Sequence, residues 1–483
     1  MIPFGPWRPD LYGLNLPYVD EARGVLPGAN SYHPWPTLAA ISAALADTCR
    51  GAYAARLLDG SFVVYAGTAT KLYKYATAST WTDVTRVAGG DYAVPADEYW
   101  SFTQHGVNLI ACNSIDDVQT ISVEAGSNFA ALGGSPPKAR YAKTVGDQVF
   151  LLGLAANPRR VQWSGRNNSA FWTAGSRDSD FQDFPDGGWT TGITSIEVGL
   201  LFQEGIVRRF VPTSDRAIYR FSRIEEARGL LAPRSLVTFG RVAYYLSEEG
   251  FYAQAGSGQS EPIGLDQVND WFSSIVNTSR YNTVISAADP TRPRLYWLFP
   301  SDGNTGYVHD NLLCYDVALK QWSHADVSAT YILPGAVAGA TLEDLDAVAT
   351  LDALTFSLDS RHLVGGSAYM GGFDSAFKLG SFTGDYMQAV IETADFQPFP
   401  NKRSFVRGID PITDADNVTV KAGKKERLAD DIVFGASSTM NTEGRCPVRS
   451  SGRVHRVQLT IESGESWTHV RGVEPDVVRE GAN

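Results

Sequence analysis

Cysteine and methionine are scarce in this chain, four of each in 483 residues, and the scarcity excludes several chemistries. Cys49, Cys112, Cys314 and Cys446 lie too far apart to give the paired spacing of a zinc or iron–sulfur site. Four thiols in a chain of this size do not make a disulfide framework either, so assembly in a reducing cytoplasm is expected. No apolar run approaches membrane-spanning length. The start Met1-Ile2-Pro3-Phe4-Gly5-Pro6-Trp7 has neither the basic nor the apolar region of a secretory signal. There is no Gly-Lys-Ser/Thr phosphate loop, no Gly-x-Gly-x-x-Gly opening a helix, no His-Glu-x-x-His and no Gly-x-Ser-x-Gly elbow. Positive charge is also short: 41 Lys and Arg stand against 53 Asp and Glu, a net charge of −12. Such a chain is poorly suited to gripping a phosphate backbone, which takes clustered cations. It suits plain solubility, or the wall of a passage through which a polyanion slides.

What is abundant is glycine (46), proline (24) and aromatic side chain (11 Trp, 21 Tyr, 23 Phe), the composition of many short strands joined by tight turns. One phrase repeats, a hydrophobic run entered through a Gly turn. It reads Val145-Gly146-Asp147-Gln148-Val149-Phe150-Leu151-Leu152, and again Phe239-Gly240-Arg241-Val242-Ala243-Tyr244-Tyr245-Leu246. Looser copies begin at His105-Gly106 and Glu204-Gly205. The spacing is uneven, roughly 35 to 60 residues, the scale of propeller blades. A second device is an aromatic strand followed by a turn and a Trp: Leu72–Tyr75 before Trp81, Val161–Ser164 before Trp172, Leu313–Asp316 before Trp322. A large flat ring at that place fills the wedge between neighbouring blades.

The fold class expected is mainly β: a β-propeller with an extended N-terminal arm and a C-terminal β-sandwich-like domain. Residues 1–49 are expected to form the arm and one short helix. The arm is broken by prolines and studded with Trp7, Tyr12, Tyr18, Tyr32 and Trp35. These rings pack on their own domain or dock on a neighbouring subunit, and they are the partner-binding candidates. The helix is expected over residues 38–48, Ala-rich with Leu38, Ile41 and Leu45 on one face. The propeller is expected over 50–385, with Leu342–Leu358, acidic and apolar, as a helical insertion or a loop between blades. The C-terminal domain is expected over 386–483, from five candidate strands around a charged loop, Lys424–Arg445.

Candidate chemistry is sparse. Asp178, Asp180 and Asp183, followed by Asp186-Gly187-Gly188, come nearest to the closely spaced carboxylates that a hard cation takes. The Gly is misplaced for an EF-hand, however, and residue 189, where a bidentate Glu would fall, is Trp, so a solvated acidic loop is the plainer account. His309 and His324 flank one predicted strand, and His309-Asp310 is a site candidate, with ordinary surface or turn histidines the plainer account. Arg208-Arg209, Arg216, Arg220 and Arg223 make the densest basic cluster, with Asp215, Glu225 and Glu226 close enough to pair with them. No pair of carboxylates is singled out for glycosidase chemistry.

Four features resemble one family: Tyr32-His33-Pro34-Trp35-Pro36; the phrase Phe239–Tyr252; Leu312–Asp316 with Gln321-Trp322; and Gly444–Arg453 followed by the strand 454–461, Trp467 and Arg471-Gly472-Val473. The chain resembles the tail hub or nozzle proteins of short-tailed double-stranded DNA bacteriophages. The resemblance implies a virion tail protein assembled in the host cytoplasm, with no catalytic activity and no cofactor. It implies a homo-oligomeric ring, a hexamer, below the portal and adaptor. DNA passes through this ring without specific binding, and fibre or needle proteins attach to it. The alternative expectation is a carbohydrate-binding or glycan-cleaving propeller on a virion or cell surface.

Overall fold

The computed structural model describes residues 1–75, 79–195, 199–213, 217–336 and 368–480; the acidic stretch Leu342–Leu358 and Arg216 lie outside them. The protein is a β-propeller whose blades are antiparallel four-stranded sheets. Five follow one another along the chain, at residues 52–83, 101–131, 139–183, 190–225 and 237–262. The sixth runs Ile285–Ala288, Arg294–Phe299, His309–Asp316 and the first half of the long strand Gln321–Ala336. The second half of that strand leaves the sixth blade and pairs with Ala368–Asp374 to begin a seventh. Lys378–Tyr386 follows, and the outer strand is Pro36–Ala44, from near the start of the chain. The ring is therefore closed by a strand from one end sealing a blade from the other.

Among the described residues, seven apolar clusters fill the blade interfaces, the one between the fifth and sixth blades running on into the sandwich, and period-two patterning assigns side chains to them. In Gln148–Leu154 of the third blade, Val149 and Leu151 face the second blade, while Phe150 and Leu152 face the fourth. Every residue of that strand is buried, because each blade is covered on both faces. The Gly phrase is the first hairpin of a blade: Gly106, Gly146 and Gly240 all sit at φ near +60°, where a Cβ would be strained. Glu204-Gly205 differs, joining the second and third strands of the fourth blade. The three Trp residues are interblade wedges. Trp81 lies 5.7 Å from Phe373 across the first and seventh blades. Trp172 lies in the cluster between the second and third. Trp322 reaches Phe251 of the fifth at 5.2 Å.

The remaining strands form a two-sheet sandwich built from both ends of the chain. One sheet orders Val25–Gly28, Ser31–Pro34, Val470–Arg479, Ser404–Thr413 and Cys446–Gly452, with Ile2–Pro3 alongside Val470–Arg479. The other orders Val19–Arg23, Ala389–Thr393, Val454–Ile461 and Val418–Lys425. The second sheet is continuous with the sixth blade, because Arg23 pairs with His324. The edge of that blade is thereby covered rather than left open to association. Gly24, at φ +68° with Gln388 O 2.1 Å from where its Cβ would be, turns the chain from one sheet to the other.

Two expectations for residues 1–49 need correction. The segment is extended but is not a free arm, since its strands complete the sandwich. The stretch expected to be helical is the strand Pro36–Ala44, because the exposed edge of Lys378–Tyr386 offers it a ladder that an isolated eleven-residue helix cannot match.

Candidate functional site

The connection between the first and second blades, residues 84–100, is too long for a simple blade-to-blade link and crosses the axis. Tyr99 sits at its tip, 1% exposed. Its carbonyl accepts from Arg234 at 2.9 Å, and that guanidinium lies 4.7 Å over the Tyr99 ring and 5.7 Å from Tyr141 of the third blade. Asp97 pairs with Arg280 at 2.6 Å, and its backbone N–H donates to the Tyr307 hydroxyl at 3.2 Å. Glu98 pairs with Arg140 at 3.3 Å. Tyr331 of the seventh blade stands 6.2 Å from Tyr99, and burial pushes its hydroxyl pKa up to about 12. One loop thus touches the third, fifth, sixth and seventh blades and fills the centre of the ring between them. Sequence reading missed Tyr99 and Arg234; the unusual length of their connections was the available signal.

A cleft of about 1150 Å³ lies where the sandwich meets the sixth and seventh blades. Trp35, Tyr296, Tyr369 and Trp467 stand in its walls, with Asp289 and Arg292 among its polar residues. The two bodies are pinned beside it by Arg294, buried, which pairs with Asp316 at 3.2 Å and donates to Pro27 O at 3.1 Å.

The residues nominated from sequence do not converge. Trp7 is fully buried, stacked on His324 at 4.8 Å and edge-on to Trp271 at 4.7 Å. Its indole N–H donates to Asp20 O. Tyr18, Tyr32 and Trp35 are buried too, with the Tyr32 hydroxyl on Gly5 O at 2.8 Å and Trp35 against Tyr296 at 5.7 Å. These four are core residues of their own chain and offer no docking ring. Tyr12 alone is exposed, at 92%.

Of the carboxylates, Asp178 pairs with Arg166 at 3.1 Å, and Asp183 takes both Nε and Nη2 of Arg160 at 2.7 and 2.8 Å. Asp180 accepts from the backbone N–H of Phe181. Among the described residues no group of three or more His, Cys, Asp or Glu could hold a metal ion. His309 is buried between Thr283 O and Tyr307 O, and Asp310 accepts from Ser301 N, so both serve the sixth blade. Arg208 and Arg223 share Asp186 at 2.6 and 2.5 Å. The basic cluster is partly neutralised at home.

No family profile matches the chain, and no curated protein matches it. Among solved structures it is similar to PorZ, a bacterial surface component of the type-IX secretion system of Porphyromonas gingivalis. That match is 11% identical over 70% of this chain and 38% of PorZ, with a TM-score of 0.35. It is similar to the N-terminal domain of Nup159 at 8% identity over 77% of this chain and 98% of that one, TM-score 0.37. A chain of the mitotic checkpoint complex matches at 9% identity over 74% and 95%, TM-score 0.40. At such scores these likenesses carry nothing about function, and the propeller rests on its own strand pairing.

Proposed function

We propose that the chain is a structural subunit of a short bacteriophage tail, the nozzle or hub ring that extends the DNA channel, and that it acts by assembly rather than by chemistry. The observation that carries this reading is where the charge lies. The described residues of the propeller, between 36 and 388, hold 29 acids against 24 bases; the two pieces of the sandwich together hold 17 against 15. An acidic propeller facing a duplex repels its phosphates and lets it slide. Because Tyr99 and Arg234 fill the centre of the propeller, the channel of such a ring would be formed between subunits. The sandwich, which carries almost no net charge, is the natural body for contacts with neighbouring rings. The test is cryo-electron microscopy of phage particles whose mass spectrum contains this chain. A ring at the tail enclosing a channel is expected; absence from the particle, or a place only as a peripheral spike, overturns the reading.

A second reading, a glycan-binding propeller, has one observation in its favour. The cleft between sandwich and propeller combines aromatic walls with polar side chains, a combination that suits sugars. A glycan array without hits removes it.

A further inference from the structure

The turn that presents Tyr12 is fixed from several sides. The Tyr18 hydroxyl donates to Leu11 O at 2.5 Å, and Asn15 N donates to Asp395 O at 2.9 Å. Asn15 Oδ1 accepts from Gln397 N at 2.9 Å. Just before the turn, the Asp10 carboxylate accepts from the backbone N–H groups of Asp270 and Trp271, both at 2.9 Å. On this base the Tyr12 ring is 92% exposed, with Leu428 at 60%. An aromatic side chain held on rigid backbone and left in water is the form of an interface anchor, because little ordering entropy remains to be lost when it is covered.

Between Tyr12 and Leu428 opens a pocket of about 270 Å³, also lined by Asp20, Asp395, Lys425 and Arg456. The Arg456 guanidinium is surrounded by three carboxylates. It contacts Asp20 through Nη1, Asp395 through Nε at 2.9 Å and Glu392 at 3.5 Å. Lys425 Nζ sits on the second oxygen of Asp395 at 2.5 Å and donates to Leu428 O at 3.1 Å. Three acids thus share two cations; one of them, Glu392, stands outside the pocket lining and also accepts from Gln458 Nε2 at 2.7 Å. Asp20, about a quarter exposed, binds Arg456 through one oxygen and shows no bond at the other. Burial holds the carboxyls of both Asp20 and Glu392 above their usual range despite the contact with Arg456. The cluster is short of one positive charge, and its open oxygen belongs to a residue that lines the pocket.

We propose that this pocket receives a basic side chain, arginine or lysine, from a partner polypeptide. The charge goes to Asp20, and the aliphatic stem lies between Tyr12 and Leu428, with the Tyr12 ring available for a cation–π contact. The arrangement discriminates against acidic and neutral residues, since either would leave the third carboxylate of the cluster uncompensated. It serves such a partner whether or not the chain belongs to a tail, so the particle experiment and the one below fail separately.

The experiment is a selection of displayed random peptides on the full-length protein, with counterselection against the Tyr12→Ala variant. That variant folds, because the ring it removes touches almost nothing. Expected are peptides sharing an Arg or Lys. Their binding should fall at least about tenfold on Tyr12→Ala, on replacing the peptide's basic residue by Gln, and on Asp20→Asn, and should weaken as salt rises. Peptides without a common basic residue, binding unaffected by Tyr12→Ala, or no enrichment over the counterselection would each overturn the proposal.

Discussion

His309 shows how a polar residue is spent on architecture. Its ring is fully buried, Nε2 lying 2.9 Å from Thr283 O and Nδ1 3.1 Å from Tyr307 O. Burial pushes its pKa down to about 4, against an ordinary value of 6.5. Between those two values the unfolded chain binds a proton that the folded chain refuses. Stability is therefore full above pH 6.5 and is lost as pH falls, by about 3 kcal/mol at pH 4 from this residue alone. Urea unfolding at pH 7 and pH 4 should show this loss in the parent chain and a correspondingly smaller one in His309→Asn, which has no proton to gain. Equal losses in the two proteins would assign the acid sensitivity elsewhere. Residue roles of this kind were barely legible in the sequence. A histidine beside an aspartate reads the same whether it faces a cleft or a core. Trp7 and Tyr12 stand five positions apart in one proline-rich stretch, and without periodicity nothing separates the ring that is buried from the ring left in water.

At the scale of elements, the strand Pro36–Ala44 does the work of a clasp. Ala39 pairs with Ser381 and Ala40 with Gly380, joining the start of the propeller to its last blade. Ala39→Cys with Ser381→Cys should form a disulfide on oxidation, since paired residues on antiparallel strands lie within bridging distance. Closing so long a loop should stabilise the protein by roughly 2–4 kcal/mol, read as a rise in melting temperature over the reduced form. Failure to cross-link would mean that this strand does not seal the ring. The clasp was misread from sequence for a physical reason. Leu38, Ile41 and Leu45 fall at helical spacing among alanines, and alanine favours helix only while no sheet edge competes for the backbone. The repeated Gly hairpins were legible because Gly106, Gly146 and Gly240 each meet a local demand, a positive φ, that owes nothing to distant partners. The strands of the sandwich contributed by residues 2–34 were hidden by prolines. Pro3, Pro27 and Pro34 are tolerated there because each lies in a strand of two to four residues.

At the scale of the whole molecule, the core does not respect the boundary between propeller and sandwich. One apolar cluster includes Val406, Ile409 and Leu459 of the sandwich, Trp7 of the entering chain, and Phe251, Trp297 and Trp322 of the fifth and sixth blades. The sheet that runs from the sixth blade into the sandwich through Arg23 and His324 adds hydrogen bonding to that packing. Unfolding either body first would expose the shared cluster and strand the Arg294–Asp316 pair beside it, so neither body has a stable state without the other. A single cooperative transition is therefore expected, coincident by circular dichroism, which reports the strands, and by tryptophan fluorescence, which reports rings packed both between the blades and at the junction. Trp7→Ala should lower that one transition by about 3–5 kcal/mol without splitting it. Two resolved transitions, with the propeller surviving loss of the sandwich, would mean that the junction is a contact between independent domains. A single transition makes the chain one stiff unit, with the propeller held at a fixed orientation to the sandwich that carries it.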